Sequence, residues 1–256
     1  MEQSYSNNKE QENFLYAVQL AGSSLLPMVL KAVVELKVFD IIAKEGPGAQ
    51  LSPSEIASRL PVTSNLDAPE MLDRMLRLLA SNSILTCSVV SSDHPSSTPA
   101  AVVGQTRLYG LAPVAKYFVS DQDGVSLGPL LLLLQDNVFM DSCYELKGAV
   151  VEGGIPFDRV HGMNLFEYPG KDPRFNEVFN KAMINHTTIV LNKILHSSYK
   201  GFEQVKNLVD VGGGLGVTLN LITSKYSHIK GINFDLPHVI QHAPPYPGMG
   251  FQFIFI

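Results

Sequence analysis

Leu208-Val209-Asp210-Val211-Gly212-Gly213-Gly214-Leu215-Gly216 is the stretch whose reading decides the fold. Its first four residues read as a short buried strand, its glycines as a turn, and Val217 to Tyr226 as a helix. A second apolar stretch, Ile229 to Phe234, ends in Asp235. Strand, glycine turn, helix, strand and terminal acid make the nucleotide-binding half-unit of a doubly wound α/β domain. The turn lies close to the end of a 256-residue chain. Few further strands are therefore expected, and the apolar, uncharged tail Phe251 to Ile256 is expected at an open sheet edge.

Gly212, Gly214 and Gly216 stand at alternate positions. They let the backbone turn tightly and approach a ligand with no Cβ in the way. The helix they open presents N–H groups that attract negative charge. Asp235 stands where it can accept both hydroxyls of a ribose, and Asp210 adds a second acid near the ligand's positive groups. Two cofactors compete for this turn, beside the plain alternative of a tight turn with no ligand. A dinucleotide fingerprint places its third glycine three positions after the second, where Val217 stands. The compact pattern suits a nucleoside with a short amino-acid tail, S-adenosyl-L-methionine, better than the pyrophosphate of a nicotinamide dinucleotide.

Upstream, Asp172 is a natural N-cap and Pro173 a natural first residue for a long helix to about Leu195. Phe175, Phe179, Met183 and His186, spaced four, four and three apart, share one face of it. Such a stripe is either plain core or one wall of a pocket for a flat aromatic molecule. A helix is expected over Pro129 to Val151, closed by Gly153-Gly154, and irregular structure over Phe157 to Gly170. The polar, turn-rich segment Ser120 to Gly128 marks a domain boundary.

The N-terminal half reads as a small helical module with a wing. Phe14 to Phe39 carries apolar residues at helical spacing, with Pro27 as an expected kink. Ser52-Pro53-Ser54-Glu55 has the form of a capping box. A short helix through Leu60, a loop from Pro61 to Ala68 and a third helix from Pro69 to about Ser81 follow. Ile84 to Val90 and Thr106 to Leu111 read as paired strands around the Ser/Pro/Ala-rich loop Ser91 to Gly104.

Composition limits the partners. Apolar residues make up 45% of the chain and charged ones 17%, the balance of an ordinary soluble globular protein. A net charge of −5 opposes general affinity for nucleic acid or anionic membrane. Met1 to Asn13 has no signal-peptide pattern, and the leucine run Leu130 to Leu134 is far short of a membrane span. Cys87 and Cys143 lack metal-ligand spacing and read as reduced, buried thiols of a cytoplasmic protein.

Several longer stretches carry a resemblance. They are Gly46-Pro47-Gly48-Ala49, Asp67-Ala68-Pro69, Met71-Leu72-Asp73-Arg74, Arg107-Leu108-Tyr109-Gly110-Leu111, Gly154-Ile155-Pro156-Phe157, Asp172-Pro173-Arg174-Phe175-Asn176, Leu208 to Gly214, and Gly231 to Pro237. From about Phe14 to Gly248 the chain resembles the plant small-molecule O-methyltransferases, caffeic acid O-methyltransferase among them. The resemblance implies an α/β protein with an N-terminal winged-helix dimerisation domain, residues 1–120. It implies a Rossmann-like S-adenosyl-L-methionine-dependent methyltransferase domain, residues 121–256, incomplete at its C-terminus. It implies a homodimer, a phenolic acceptor, no metal, and no nucleic-acid or membrane partner.

By match of motif, Gly212, Gly214, Asp210 and Asp235 belong to the cofactor site. Phe175, Phe179, Met183 and His186 belong to the acceptor pocket, as do Leu133, Leu134, Phe139 and Leu165. Leu133 and Leu134 stand where caffeate enzymes commonly carry Met-Asn. Phe139 and Leu165 are bulkier than the usual residues, and Gly22 stands at a partner-facing serine. The family's adenine-contacting Gly-Asp-Met segment and its general-base histidine, in a His-Asp-Trp context, have no counterpart in this sequence, which contains no tryptophan. No catalytic residue is therefore assigned. Two functional readings follow. One is an O-methyltransferase of a small phenol, inert as this polypeptide. The other is a non-catalytic subunit that dimerises with full-length homologues. A DNA-binding winged helix is the weakest reading, because Arg74 and Arg77 share their helix with Glu70 and Asp73.

Overall fold

The computed structural model describes residues 2–61, 64–91, 105–246 and 249–253. They form two compact units, Met1–Val119 and Ser120–Ile256.

In the first unit, helices α1 (Glu2–Ala21), α2 (Leu25–Glu35) and α3 (Val38–Lys44) replace the single kinked helix expected over Phe14 to Phe39. The break falls at residues 22–24, and Pro27 sits in the first turn of α2, where its missing N–H costs nothing. A second break follows at Lys37, which adopts a left-handed φ of 58°. Strand β1 (Gln50–Leu51) leads into α4 (Pro53–Ala57). The expected capping box forms: Glu55 N–H donates to Ser52 Oγ at 3.2 Å, and Ser52 N–H donates to Glu55 Oε2 at 2.7 Å. α5 (Ala68–Ser81) precedes the antiparallel pair β2 (Leu85–Ser91) and β3 (Gln105–Leu111), and the sheet order is β1-β3-β2. Most of the loop expected over Ser91 to Gly104 lies outside the described residues. Val33, Phe39, Ile42, Ile56, Leu76 and Leu79 fill this unit's core. Tyr109 is buried with them, and its hydroxyl donates to Asp73 Oδ1 at 2.7 Å.

In the second unit, the helix expected over Pro129 to Val151 is three: α6 (Gly128–Leu134), α7 (Asn137–Tyr144) and α8 (Leu146–Glu152). Asp136 breaks the run because its carboxylate caps α7, accepting from Val138 N–H at 3.1 Å. The segment expected to be irregular contains α9 (Pro156–His161) and a short 3-10 turn, Tyr168–Gly170. α10 (Pro173–Leu195) starts at Asp172, whose Oδ1 accepts from Phe175 N–H at 3.0 Å. Cys87 and Cys143 are free but exposed rather than buried. Cys87 lies on an edge strand, β2, and Cys143 on the outer side of α7.

β4 (Asn207–Val211), α11 (Val217–Lys225), β5 (Lys230–Asp235), α12 (Pro237–Ile240) and β6 (Met249–Phe253) complete the described chain. The three strands form a parallel sheet in the order β4-β5-β6, with Asp210 opposite Asn233 and Val211 opposite Phe234. The strand expected in the tail begins two residues early, at Met249. β4 is not the buried strand its apolar residues suggest. Leu208 packs with Leu195, Ile222 and Ile229 on one face, while Val209 and Val211 on the other are 52% and 70% exposed. Parallel sheets are ordinarily covered on both faces. Among the described residues only one face of β4 is.

Candidate functional site

The end of β5 builds the site by gripping the glycine turn. Phe234 C=O accepts from Gly212 N–H at 2.8 Å. Asp235 Oδ2 accepts from Gly214 N–H at 2.7 Å, and Oδ1 accepts from Leu236 N–H at 2.6 Å. Asn233 Nδ2 donates to Gly214 C=O at 2.9 Å. Between these anchors Gly212, Gly214 and Gly216 take φ of +75°, +59° and +81°, a region L side chains avoid. Gly213 is needed for another reason. A Cβ there would lie 2.1 Å from Asn233 Oδ1 and 2.9 Å from Asp210 Oδ2.

Asp235 accepts from two backbone N–H groups. Asp210 is half-buried, with Oδ2 lacking any partner. Burial first, and then the charge of Asp235, push its carboxyl above the usual carboxylate range.

Beside the turn opens a cavity of about 560 Å³. Residues 210–215 form one wall and Phe179 and Met183 of α10 another, with Phe166, Leu236 and Val239 adding apolar surface. The four cofactor candidates, Asp210, Gly212, Gly214 and Asp235, thus come together in one place.

The eight acceptor-pocket candidates divide. Phe179 and Met183 line this cavity. Phe175 and Leu133 are fully buried in a core cluster with Val138, Phe157 and Ala182, against which Phe139 and Leu165 pack. Leu134 is largely exposed, and His186 is half-buried on α10 without lining the cavity. Sequence reasoning missed Asn176, Asn180, Ile184 and Thr187, which line the cavity at the same four, four, three spacing one residue along. It also missed Phe166, which stands edge-on to Phe179 with centroids 6.4 Å apart, and Asn233. Strand alternation places Asn233 on the face of Asp235 and was the available signal.

A clamped glycine turn, an acid closing the next strand and an apolar wall define a nucleotide-binding α/β domain, here following a helical unit with a small antiparallel sheet. A family profile for an O-methyltransferase dimerisation domain matches residues 18–121, and one for an O-methyltransferase domain matches residues 143–255. The chain is 59% identical over 240 residues to a catechol O-methyltransferase of Solanum lycopersicum, covering 94% of this chain and 62% of that one. It is 57% identical over 241 residues to caffeic acid 3-O-methyltransferase of Catharanthus roseus, covering 94% and 64%. It is 57% identical over 235 residues to that of Eucalyptus globulus, covering 92% and 72%. The chain belongs to this O-methyltransferase family.

It spans less than two thirds of the length of the first two of these relatives. Among solved structures, human N-acetylserotonin methyltransferase in complex with SAM superposes with a TM-score of 0.73 at 19% identity, over 95% of this chain and 66% of that one. A methyltransferase of calicheamicin biosynthesis in its SAH-bound form gives 0.68 at 18% identity, over 95% and 66%. These likenesses are of fold.

Proposed function

We propose that the site binds S-adenosyl-L-methionine and serves O-methylation of a small phenol. The observation that carries this reading is the Gly212–Gly216 turn, fastened to Asp235 at the mouth of a cavity walled by Phe179 and Met183. The residues fit that cofactor. Asp235 keeps lone pairs for ribose hydroxyls, and the turn offers bare backbone to an amino-acid tail. Val217, where a dinucleotide site would want glycine, disfavours a pyrophosphate. When bound, the cofactor supplies an electrophilic methyl group. Phe179, Met183 and Phe166 would hold a flat aromatic acceptor and keep water away, while Asn176, Asn180 and Thr187 offer it hydrogen bonds.

Deprotonating a phenol needs a base. Among the described cavity-lining residues the only titratable ones are Asp210 and Asp235, both at the cofactor end. The polypeptide of residues 1–256 is therefore expected to transfer no methyl by itself. The same observation favours a second reading, a non-catalytic subunit that pairs with full-length relatives.

Pairing is read onto the first unit. Phe14, Tyr16, Val18, Leu20 and Leu25 are each more than half exposed along α1 and the start of α2, apolar surface on opposite sides of α1 that a second copy could cover. We read this unit as a winged helix used for dimerisation and not for DNA. Arg74 pairs with Glu70 at 2.6 Å, while Arg77 and Arg107 pair with Asp73 at 3.4 and 3.0 Å. No single helix among the described residues is long and apolar enough to cross a membrane, and a cytoplasmic location is the matching reading.

Radiolabelled methyl transfer to caffeate tests the enzyme reading. No product is expected from residues 1–256, and product is expected when the chain is extended with the C-terminal part of a relative. Failure of the extended protein to methylate any phenol would sink the proposal.

A further inference from the structure

Asn233 lies two residues before Asp235 on β5, so both side chains leave the same face of the strand. They hold one residue of the turn from both sides. Asp235 Oδ2 takes the N–H of Gly214, and Asn233 Nδ2 donates to its C=O. Gly214 is held at its left-handed φ of +59° between these two bonds.

The other end of the Asn233 amide is unusual. The side chain is fully buried, yet Oδ1 has no hydrogen-bond partner. Asp210 Oδ2, buried on the neighbouring strand, has none either. Both atoms crowd the space above Gly213, within 2.1 and 2.9 Å of the point a Cβ would occupy there. Two acceptors sharing a buried space without a donor between them is an arrangement that folded proteins avoid. One proton on the Asp210 carboxyl would satisfy both.

We propose that Asn233 is a positioning residue of the cofactor site: bonded to Gly214 on one side and to a proton-bearing Asp210 carboxyl on the other, it fixes the curvature of the glycine turn on which Asp235 receives the ribose. The assignment deepens the methyltransferase reading and rests on it for the identity of the ligand. The electrical surroundings agree. Of the described cavity-lining residues of β5, α10 and α11, only Asp235 is charged, and its charge opposes ionisation of Asp210. Raising the pH past the Asp210 pKa removes the shared proton, turns two acceptors against each other and loosens the turn.

Nuclear magnetic resonance on the full 256-residue chain tests this. The 13Cγ of Asp210 and the amide of Gly214 are followed together with pH, in the wild type and in Asn233→Leu. S-adenosylhomocysteine binding is measured by equilibrium dialysis. In the wild type, Asp210 should titrate above the ordinary carboxylate range and the Gly214 amide should move with it. In Asn233→Leu the Gly214 amide should no longer follow Asp210, and the Kd should rise by about tenfold, the loss of one hydrogen bond's worth of positioning. Independent titration of the two groups in the wild type would overturn the proposal, as would an unchanged Kd and Gly214 amide in the variant. If Asn233→Leu does not fold, the wild-type co-titration decides alone. If the wild type binds no S-adenosylhomocysteine, the ligand reading fails while the co-titration still judges the clamp.

Discussion

Replacing Gly213 by alanine should damage the turn more than replacing either of its glycine neighbours at 212 and 214, although Gly213 is not among the glycines with positive φ. The new methyl would lie 2.1 Å from Asn233 Oδ1 and 2.9 Å from Asp210 Cγ and Oδ2. Asn233 is fully buried and tied to Gly214, so it cannot swing aside freely. Overpacking of this kind costs about 1–3 kcal/mol. Losing the Asn233–Gly214 bond adds about 1 kcal/mol. The sum, about 2–4 kcal/mol, corresponds to a fall in Tm of roughly 5–15 °C for a protein of this size. Gly212→Ala meets nothing within 4 Å and carries only the strain of its φ of +75°, about 1–2 kcal/mol. Urea unfolding of both variants gives the order. A double-mutant cycle sharpens it: Gly213→Ala should cost at least about 1 kcal/mol less in an Asn233→Ala background, since the clashing atom is gone. Strict additivity, or a Gly213→Ala protein as stable as wild type, would refute the reasoning.

Three further outcomes are expected. Tyr109→Phe removes a buried hydroxyl from Asp73 and should destabilise the first unit by about 1.5–3 kcal/mol in chemical denaturation. Burial, and next the hydrogen bond to Asp73, raise the Tyr109 pKa. A raised folded-state pKa means that its contribution is whole below the unfolded value near 10 and is lost as pH climbs above it, so the stability gap between wild type and Tyr109→Phe should narrow as pH rises above about 10. Leu20→Glu with Leu25→Glu places charge on the exposed apolar surface of α1 and α2 and should shift sedimentation at micromolar concentration from dimer to monomer, while an unmoved dimer would place the interface elsewhere. Asp235→Asn leaves an amide that accepts from only one of the two backbone donors, and should weaken S-adenosylhomocysteine binding by about tenfold or more in equilibrium dialysis.

Short-range chemistry was legible in the sequence. Ser52 and Glu55 form their reciprocal cap, and Asp172 caps α10, because these residues answer only to their own neighbours. The glycine turn and Asp235 meet as strand–turn–helix–strand geometry requires. Helix breaks were harder to read. Asp136 ends a leucine-rich run by capping α7, and nothing local distinguishes it from a surface acid in a continuous helix. The stripe on α10 shows a different limit. A spacing of four advances about 40° beyond a full turn, so Phe175 faces the core while Phe179 and Met183 reach the cavity. The neighbouring row, Asn176, Asn180, Ile184 and Thr187, was overlooked because it is mostly polar. The exposure of Val209 and Val211 could not be read from an apolar strand, since burial depends on what covers the sheet and not on the strand itself. Strand alternation puts Asn233 on the face of Asp235, but its bond to Gly214 is not legible locally, because that partner lies on a turn 19 residues away.

The most direct test of the account is where a cofactor analogue touches the chain. Amide spectra of the 15N-labelled 256-residue protein should be compared with S-adenosylhomocysteine and with NAD, each up to millimolar concentration. The account predicts shifts confined to Gly212, Gly213, Gly214, Asp235 and their neighbours with S-adenosylhomocysteine, and none at these positions with NAD. Shifts of the same glycines with NAD alone, or S-adenosylhomocysteine shifts that bypass the Gly212–Gly216 turn, would contradict it.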